Sequence, residues 1–162
     1  MSSQRTNGQY RRNLILAFCE RTIIVELTKK DRAYFNIAKE VSKLSDFPRV
    51  QIGACAVYKH KVISTGCNSN RTSPLQKKYN QYRFTVETPH TCHAETSCLK
   101  PLIGRKDIDF KNIELYIYRE YKNGEFGLAR PCESCMRLIS ELGIKHIYYT
   151  NTGGFSHEEI LI

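Results

Sequence analysis

Two short stretches hold the residues whose types and spacing could do chemistry: His93-Ala94-Glu95 and Pro131-Cys132-Glu133-Ser134-Cys135. Brought together, they offer one imidazole, two thiols and one carboxylate. Neutral imidazole nitrogen and thiolate sulfur bind zinc readily in tetrahedral geometry, and three such ligands leave a fourth position open. His93, Cys132 and Cys135 are therefore the candidate metal ligands. A zinc with an open position lowers the pKa of water there towards about 7, which makes a nucleophile at neutral pH. Glu95 is then the candidate acid/base that moves the protons.

The spacing supports this division of roles. Cys132 and Cys135 are three apart, so at a helix start both sulfurs lie on one side. A helix N-terminus carries partial positive charge, which favours thiolate. Pro131 suits a helix entry, where its missing N–H is no loss. His93 and Glu95 are two apart and would diverge by about 200° on a regular helix, so they are not expected to share the metal as an i, i+4 pair would. The competing arrangement is a structural zinc knot with four protein ligands, the fourth from His90, Cys92 or Cys98. A second, purely structural zinc using Cys67, His90 or Cys92 is a further alternative. The remaining cysteines sit mostly in apolar runs and read as buried packing residues.

The elements that must position these residues follow from periodicity. Thr28-Lys29-Lys30-Asp31 has capping-box spacing, with Asp in the Glu/Gln place. Tyr34, Ile37, Ala38, Val41 and Leu44 then recur at helical spacing, which predicts an amphipathic helix over 29–45 packed on a sheet. Residues 51–58 and 62–67 read as a hairpin around Lys59-His60-Lys61, with His60 a solvent-exposed turn residue. Residues 70–90 form a long polar connection in which Arg71, Lys77, Lys78 and Arg83 interleave with Tyr79, Tyr82 and Phe84. Basic residues hold phosphate and aromatic rings can stack on bases, so this stretch suits a nucleic-acid strand, a single nucleotide's phosphate, or plain packing. Thr91 is a candidate cap for a helix over 92–100 that Pro101 ends or kinks. Ile113–Arg119 alternates as a strand. Residues 120–130 are a loop with an Asn123-Gly124 turn. Met136, Leu138, Ile139 and Leu142 continue the second motif's helix to a stop at Gly143. Residues 147–150 form a strand, and 156–161 one turn of helix.

Strand–helix–strand over 113–150 predicts a parallel crossover, hence a mixed sheet with helices packed on it. At 162 residues the chain reads as one catalytic-type domain, 28–162, behind an N-terminal extension, 1–27, whose first twelve residues are polar and basic. No run reaches ~18 apolar residues, so no membrane span is expected. Arg11-Arg12 precede an apolar run too short for a signal peptide, and the expected location is the cytoplasm. Seven cysteines, an odd number without scaffold spacing, argue against a secreted disulfide framework. The net charge of +9 favours phosphate-bearing partners without separating a mononucleotide from a polynucleotide.

On these residues a family resemblance can be stated. Residues 31–150 resemble the cytidine and deoxycytidylate deaminase superfamily in the helix, the hairpin Gly53–Cys67, Asn68, His93-Ala94-Glu95 and Pro131-Cys132-Glu133-Ser134-Cys135. The resemblance implies a three-layer α/β/α sandwich with a four- or five-stranded mixed sheet, zinc on His93, Cys132 and Cys135, and a proton shuttle on Glu95. It further implies that Asn68 touches sugar or base, that the Ala94 N–H holds the pyrimidine carbonyl, and that the protein is a homo-oligomer. Family sheets continue through another helix to a fifth strand. The twelve residues after Thr150 are too few for that, so the expected sheet stops at four strands, gains one from 22–27, or is completed at a subunit interface. The expected reaction is zinc-dependent hydrolytic deamination of a free cytosine nucleotide or nucleoside, with dCMP to dUMP leading. Two rivals remain at this point: a deaminase of single-stranded DNA or RNA cytosine or of tRNA adenosine, and a non-catalytic zinc-stabilised nucleic-acid-binding module.

Overall fold

Alternation along two central strands decides the layers. Ala54 and Ala56, with Leu115 and Ile117, point to one face of a sheet, while Cys55 and Val57, with Tyr116 and Tyr118, point to the other, and all eight are buried. A sheet buried on both faces needs a layer on each. The computed structural model describes residues 23–84 and 89–161 and shows both layers. In chain order the elements are β1 (Ile23–Ile24), α1 (Lys29–Ser42), β2 (Ile52–Tyr58), β3 (Lys61–Cys67), β4 (Ser69–Thr72), α2 (Pro74–Asn80), β5 (Thr91–Cys92), α3 (Ala94–Leu99), β6 (Ile113–Arg119), α4 (Glu133–Leu142), β7 (His146–Asn151) and β8 (Gly154–Glu159).

The main sheet runs β1-β8-β7-β6-β2-β3. The β6/β7 pair is parallel and the other pairs are antiparallel. Five strands form its body, and the two residues of β1 add a short sixth at the edge. Part of the stretch set apart as an N-terminal extension therefore belongs to the sheet; residues 1–22, with the predicted polar tail, lie outside the described residues.

Helix α1 covers one face. Its capping box forms as predicted: Asp31 N donates to the Thr28 hydroxyl at 3.2 Å and Thr28 N donates to Asp31 Oδ2 at 2.9 Å. Helices α3 and α4 cover the other face. Glycine permits the closest approach on each side. A Cβ on Gly53 would collide with the Ala38 carbonyl of α1, and a Cβ on Gly66 would collide with the Cys98 backbone of α3.

Three readings differ from expectation. Residues 156–161 are not a turn of helix, because Gly154–Glu159 returns along β7 in a tight hairpin. The buried residues of that strand are Ser156 and Glu158, so its alternation is real but carried by polar side chains, and hydrophobic periodicity is silent. The fifth strand thus arrives without an intervening helix. The described part of the connection 70–90 is likewise structured: β4 pairs with β5, and α2 starts at a Ser73 N-cap with Pro74 behind it. Thr91 lies in β5 and does not cap the next helix; His93 occupies the cap position.

Candidate metal and catalytic site

The site forms where two helix N-termini meet. His93 is the N-cap of α3 in extended backbone, and Glu95 is the second residue of the helix. Cys132 is the N-cap of α4, and Cys135 lies in its first turn. Because His93 stands just before the helix, His93 and Glu95 line one cavity despite their two-residue spacing.

His93 Nδ1 lies 3.4 Å from Cys132 Sγ and 3.4 Å from Cys135 Sγ. All three ligand atoms fall within 4.8 Å of one another, and among the described residues this is the one such group of three or more His, Cys, Asp or Glu side chains. Zinc–sulfur and zinc–nitrogen bonds of about 2.3 and 2.0–2.1 Å at a tetrahedral angle separate N and S by about 3.5 Å, so the donor set fits zinc with three ligands. The expected alternatives do not assemble among the described residues. Cys98 is buried against Ser64, His90 Nδ1 lies 3.1 Å from Asn80 Nδ2, and Cys92 Sγ lies 3.5 Å from the His93 carbonyl. Cys55 is a packing thiol, pushed up to about 12 by burial.

The hydrogen bond from Cys135 holds the Cys132 thiol far below its ordinary pKa, with His93 assisting. The same bond, together with burial, pushes Cys135 up. Both shifts come from the close approach of the two sulfurs, which favours thiolate at Cys132. Glu95 is 5% exposed, and burial raises its carboxyl more than the neighbouring His93 lowers it.

A cavity of about 250 Å³ opens on His93, Ala94, Glu95 and Cys132. One wall is Phe47, Val50, Ile52 and Asn68; the other is Arg119, Leu128, Ala129 and Arg130. Asn68 lines it, but its amide is already engaged: Oδ1 accepts from Ile52 N at 2.9 Å, and Nδ2 donates to the Val50 carbonyl at 2.7 Å. Ala94 is the first residue of α3, so its N–H has no acceptor within the helix.

Apart from Arg119, which ends β6, the second wall comes from the predicted loop 120–130. It is a hairpin arm, with Glu120 bridged to Phe126, and Thr150 pins it to β7 by donating from its hydroxyl to the Gly127 carbonyl at 2.9 Å. Arg130 forms a fork on Glu158 at 2.8 and 2.7 Å, and Glu158 is 3% exposed. Strand β8 therefore anchors the residue two before Cys132. Arg119 donates to the Leu128 carbonyl at 3.3 Å and makes no ion pair with a described carboxylate.

Periodicity gave no hint of Gln76, which is 0% exposed. Its Oε1 accepts from His93 N at 3.2 Å and from the Thr96 hydroxyl at 2.7 Å. Its Nε2 donates to Asn80 Oδ1 at 2.9 Å and to Ser134 Oγ at 3.2 Å. The available signal was Ser73-Pro74, a helix start that would have placed Gln76 in a first turn. The aromatic residues of 70–90 are mostly committed as well: Tyr79 is buried and donates to Glu141 at 2.7 Å, and Tyr82 lies under Arg137. Phe84 alone of that group is widely exposed, at 81%.

A mixed α/β/α sandwich that brings one imidazole and two thiols together beside a buried carboxyl defines a fold with a donor set that fits zinc. The model of the cytidine and deoxycytidylate deaminase zinc-binding region matches residues 28–151, and the chain belongs to that family. The deoxycytidylate deaminase of Pongo abelii is 27% identical over 108 residues, 63% of this chain and 53% of that protein. The Homo sapiens deoxycytidylate deaminase is 26% identical over 109 residues, again 63% of this chain and 53% of that protein. The chain spans about half the length of these curated relatives. Among solved structures, dCMP deaminase from the cyanophage S-TIM5 superposes with a TM-score of 0.56 at 22% identity, over 78% of this chain and 86% of that one. Cytidine deaminase from Burkholderia pseudomallei gives 0.55 at 18% identity, over 82% and 93%. At those identities the two structures speak to the fold, which they share with this chain.

Proposed function

We propose that domain 28–162 is a zinc-dependent hydrolase that deaminates a free cytosine nucleotide, dCMP to dUMP. The observation that carries the reading is the buried Glu95 carboxyl beside three converging metal ligands at the floor of a cavity sized for one small ligand. The curated relatives are named deoxycytidylate deaminases. The wall residue Arg119, with no described carboxylate partner, suits the phosphate at the far end of such a substrate.

Zinc on His93, Cys132 and Cys135 would supply an activated water as the nucleophile. Glu95 takes a proton from the attacking water and passes it to the ring nitrogen; it then takes the proton left on the added hydroxyl and passes it to the leaving amine, so that cytosine and water give uracil and ammonia. The Ala94 N–H holds the pyrimidine carbonyl. The amide N–H of Asn68 that is not bonded to Val50 reaches the sugar. Free thiols at every described cysteine agree with a reducing, cytoplasmic location. The homo-oligomer belongs to the same proposal and is read by light scattering.

The test is a substrate panel of dCMP, deoxycytidine, cytidine and single-stranded oligonucleotides, scored for ammonia or base change. Activity on oligonucleotides alone rejects the mononucleotide reading. Glu95→Gln is expected to keep zinc and lose turnover by a factor of about 10² to 10⁴; an active Glu95→Gln enzyme rejects the mechanism.

A further inference from the structure

Gln76 sits in the joint between α2, α3 and α4, and its neighbours fix which way its amide points. Asn80 Nδ2 donates to the Pro89 carbonyl at 3.2 Å, so Asn80 turns its oxygen towards Gln76. Gln76 must therefore present Nε2 on that side. On the other side the His93 backbone N–H, which can only donate, faces Oε1. The two constraints agree, so the amide has one orientation.

That orientation sets the direction of every hydroxyl around it. Thr96 has one proton and gives it to Gln76 Oε1, so it cannot donate to Cys135 Sγ, 3.8 Å away. Ser134 Oγ accepts from Gln76 Nε2, which leaves its own proton for Cys132 Sγ at 3.1 Å. A sulfur that binds metal carries no proton, so here the hydroxyl is the donor.

We propose that Gln76 is a positioning residue for the metal site: it directs a hydrogen-bond chain from Thr96 through Gln76 and Ser134 to Cys132 and holds the His93 backbone beside it. The chain makes the two sulfurs inequivalent, since Cys132 receives a hydroxyl and Cys135 receives none from Thr96. It also ties α2, within the connection 70–90, to the metal ligands. The proposal rests on the zinc-site reading above.

The test uses Gln76→Met, Ser134→Ala and the double variant. Zinc Kd is measured by competition with a chromophoric chelator, and the thiolate-to-metal absorption band is recorded after cobalt(II) loading. Each single change is expected to weaken zinc about 10- to 100-fold, as partners of metal ligands commonly do, and to move the cobalt band. The double variant is expected to match Gln76→Met, because Gln76 reaches Cys132 through Ser134. Wild-type Kd and spectrum in Gln76→Met, or losses that add in full, overturn the proposal. Should Gln76→Met fail to fold, Ser134→Ala decides, and an unchanged Kd and band overturn it. A wild-type protein that binds no zinc rejects the zinc site itself, whereas zinc binding unaffected by these variants rejects only the role of Gln76.

Discussion

The two faces of the sheet are built from different materials. Under α1 lies an aromatic layer: Tyr116 stacks on Tyr148 at 4.6 Å, Phe35 meets Tyr116 edge-on at 5.3 Å, and Tyr148 stacks on His157 at 4.5 Å. Under α3 and α4 the aliphatic core of Leu115, Ile117, Leu138 and Ile139 borders a polar joint made by Gln76, Glu95, Thr96 and Ser134, all buried. Aromatic pairs favour stacked or edge-on arrangements but require no donor to meet an acceptor. A buried polar joint requires each donor to meet its acceptor, and so it fixes geometry. The face that holds the candidate chemistry is the one whose buried amide, carboxyl and hydroxyl groups must meet one another; on the aromatic face hydrogen bonds such as Tyr116 to Asp31, at 2.8 Å, form at the polar ends of the rings.

That contrast can be broken by substitution. The largest effect is expected from Cys135→Ala, which should abolish stoichiometric zinc and turnover together, read by metal analysis and ammonia release. On the other face, Phe35→Ala should cost about 3–5 kcal/mol in denaturant unfolding yet leave kcat/KM of the folded enzyme unchanged. A fall in kcat/KM comparable with the loss in stability would dissolve the distinction between the faces.

A sharper version uses one change on each side. Gly53→Ala presses on α1 and Gly66→Ala presses on α3, and each should cost about 1–3 kcal/mol by overpacking. Only Gly66→Ala should also lower kcat/KM, because α3 carries Glu95. Equal losses of activity in the two variants would show that the sheet transmits strain to the site from either side.

The smallest expected effect concerns pH. Burial raises the Asp31 carboxyl, but hydrogen bonds from Thr28 and Tyr116 outweigh it and hold its pKa below the ordinary value. An unfolded aspartate titrates near about 3.9, so this group favours the native state above about pH 4. That contribution is lost as pH falls through the lower folded value. Asp31→Asn should flatten the acid limb of the stability curve and leave the pH profile of turnover unchanged. An acid limb identical to wild type would remove Asp31 from the account.

The strand β6, the hairpin β2/β3, the stop at Gly143 and the capping box at Thr28 were all readable because each rests on a short-range rule: alternation, turn chemistry or cap spacing. Strand β8 was not, because its inward residues are Ser156 and Glu158, and a buried glutamate looks like surface until Arg130 and Tyr149 are seen against it. Asn68 was singled out in the sequence as a ligand contact, yet most of its amide holds the strand of Ile52 in place, a partnership sixteen residues distant.

By itself the sequence determined the donor set and the division of labour to be expected of it. Residue type and spacing at a helix start are local, and they decide whether two sulfurs and an imidazole can serve one metal. The tertiary structure decided which groups support them. Gln76 meets Ser134 across 58 residues and Arg130 meets Glu158 across 28, and no periodicity encodes the direction in which a buried amide or hydroxyl gives its proton.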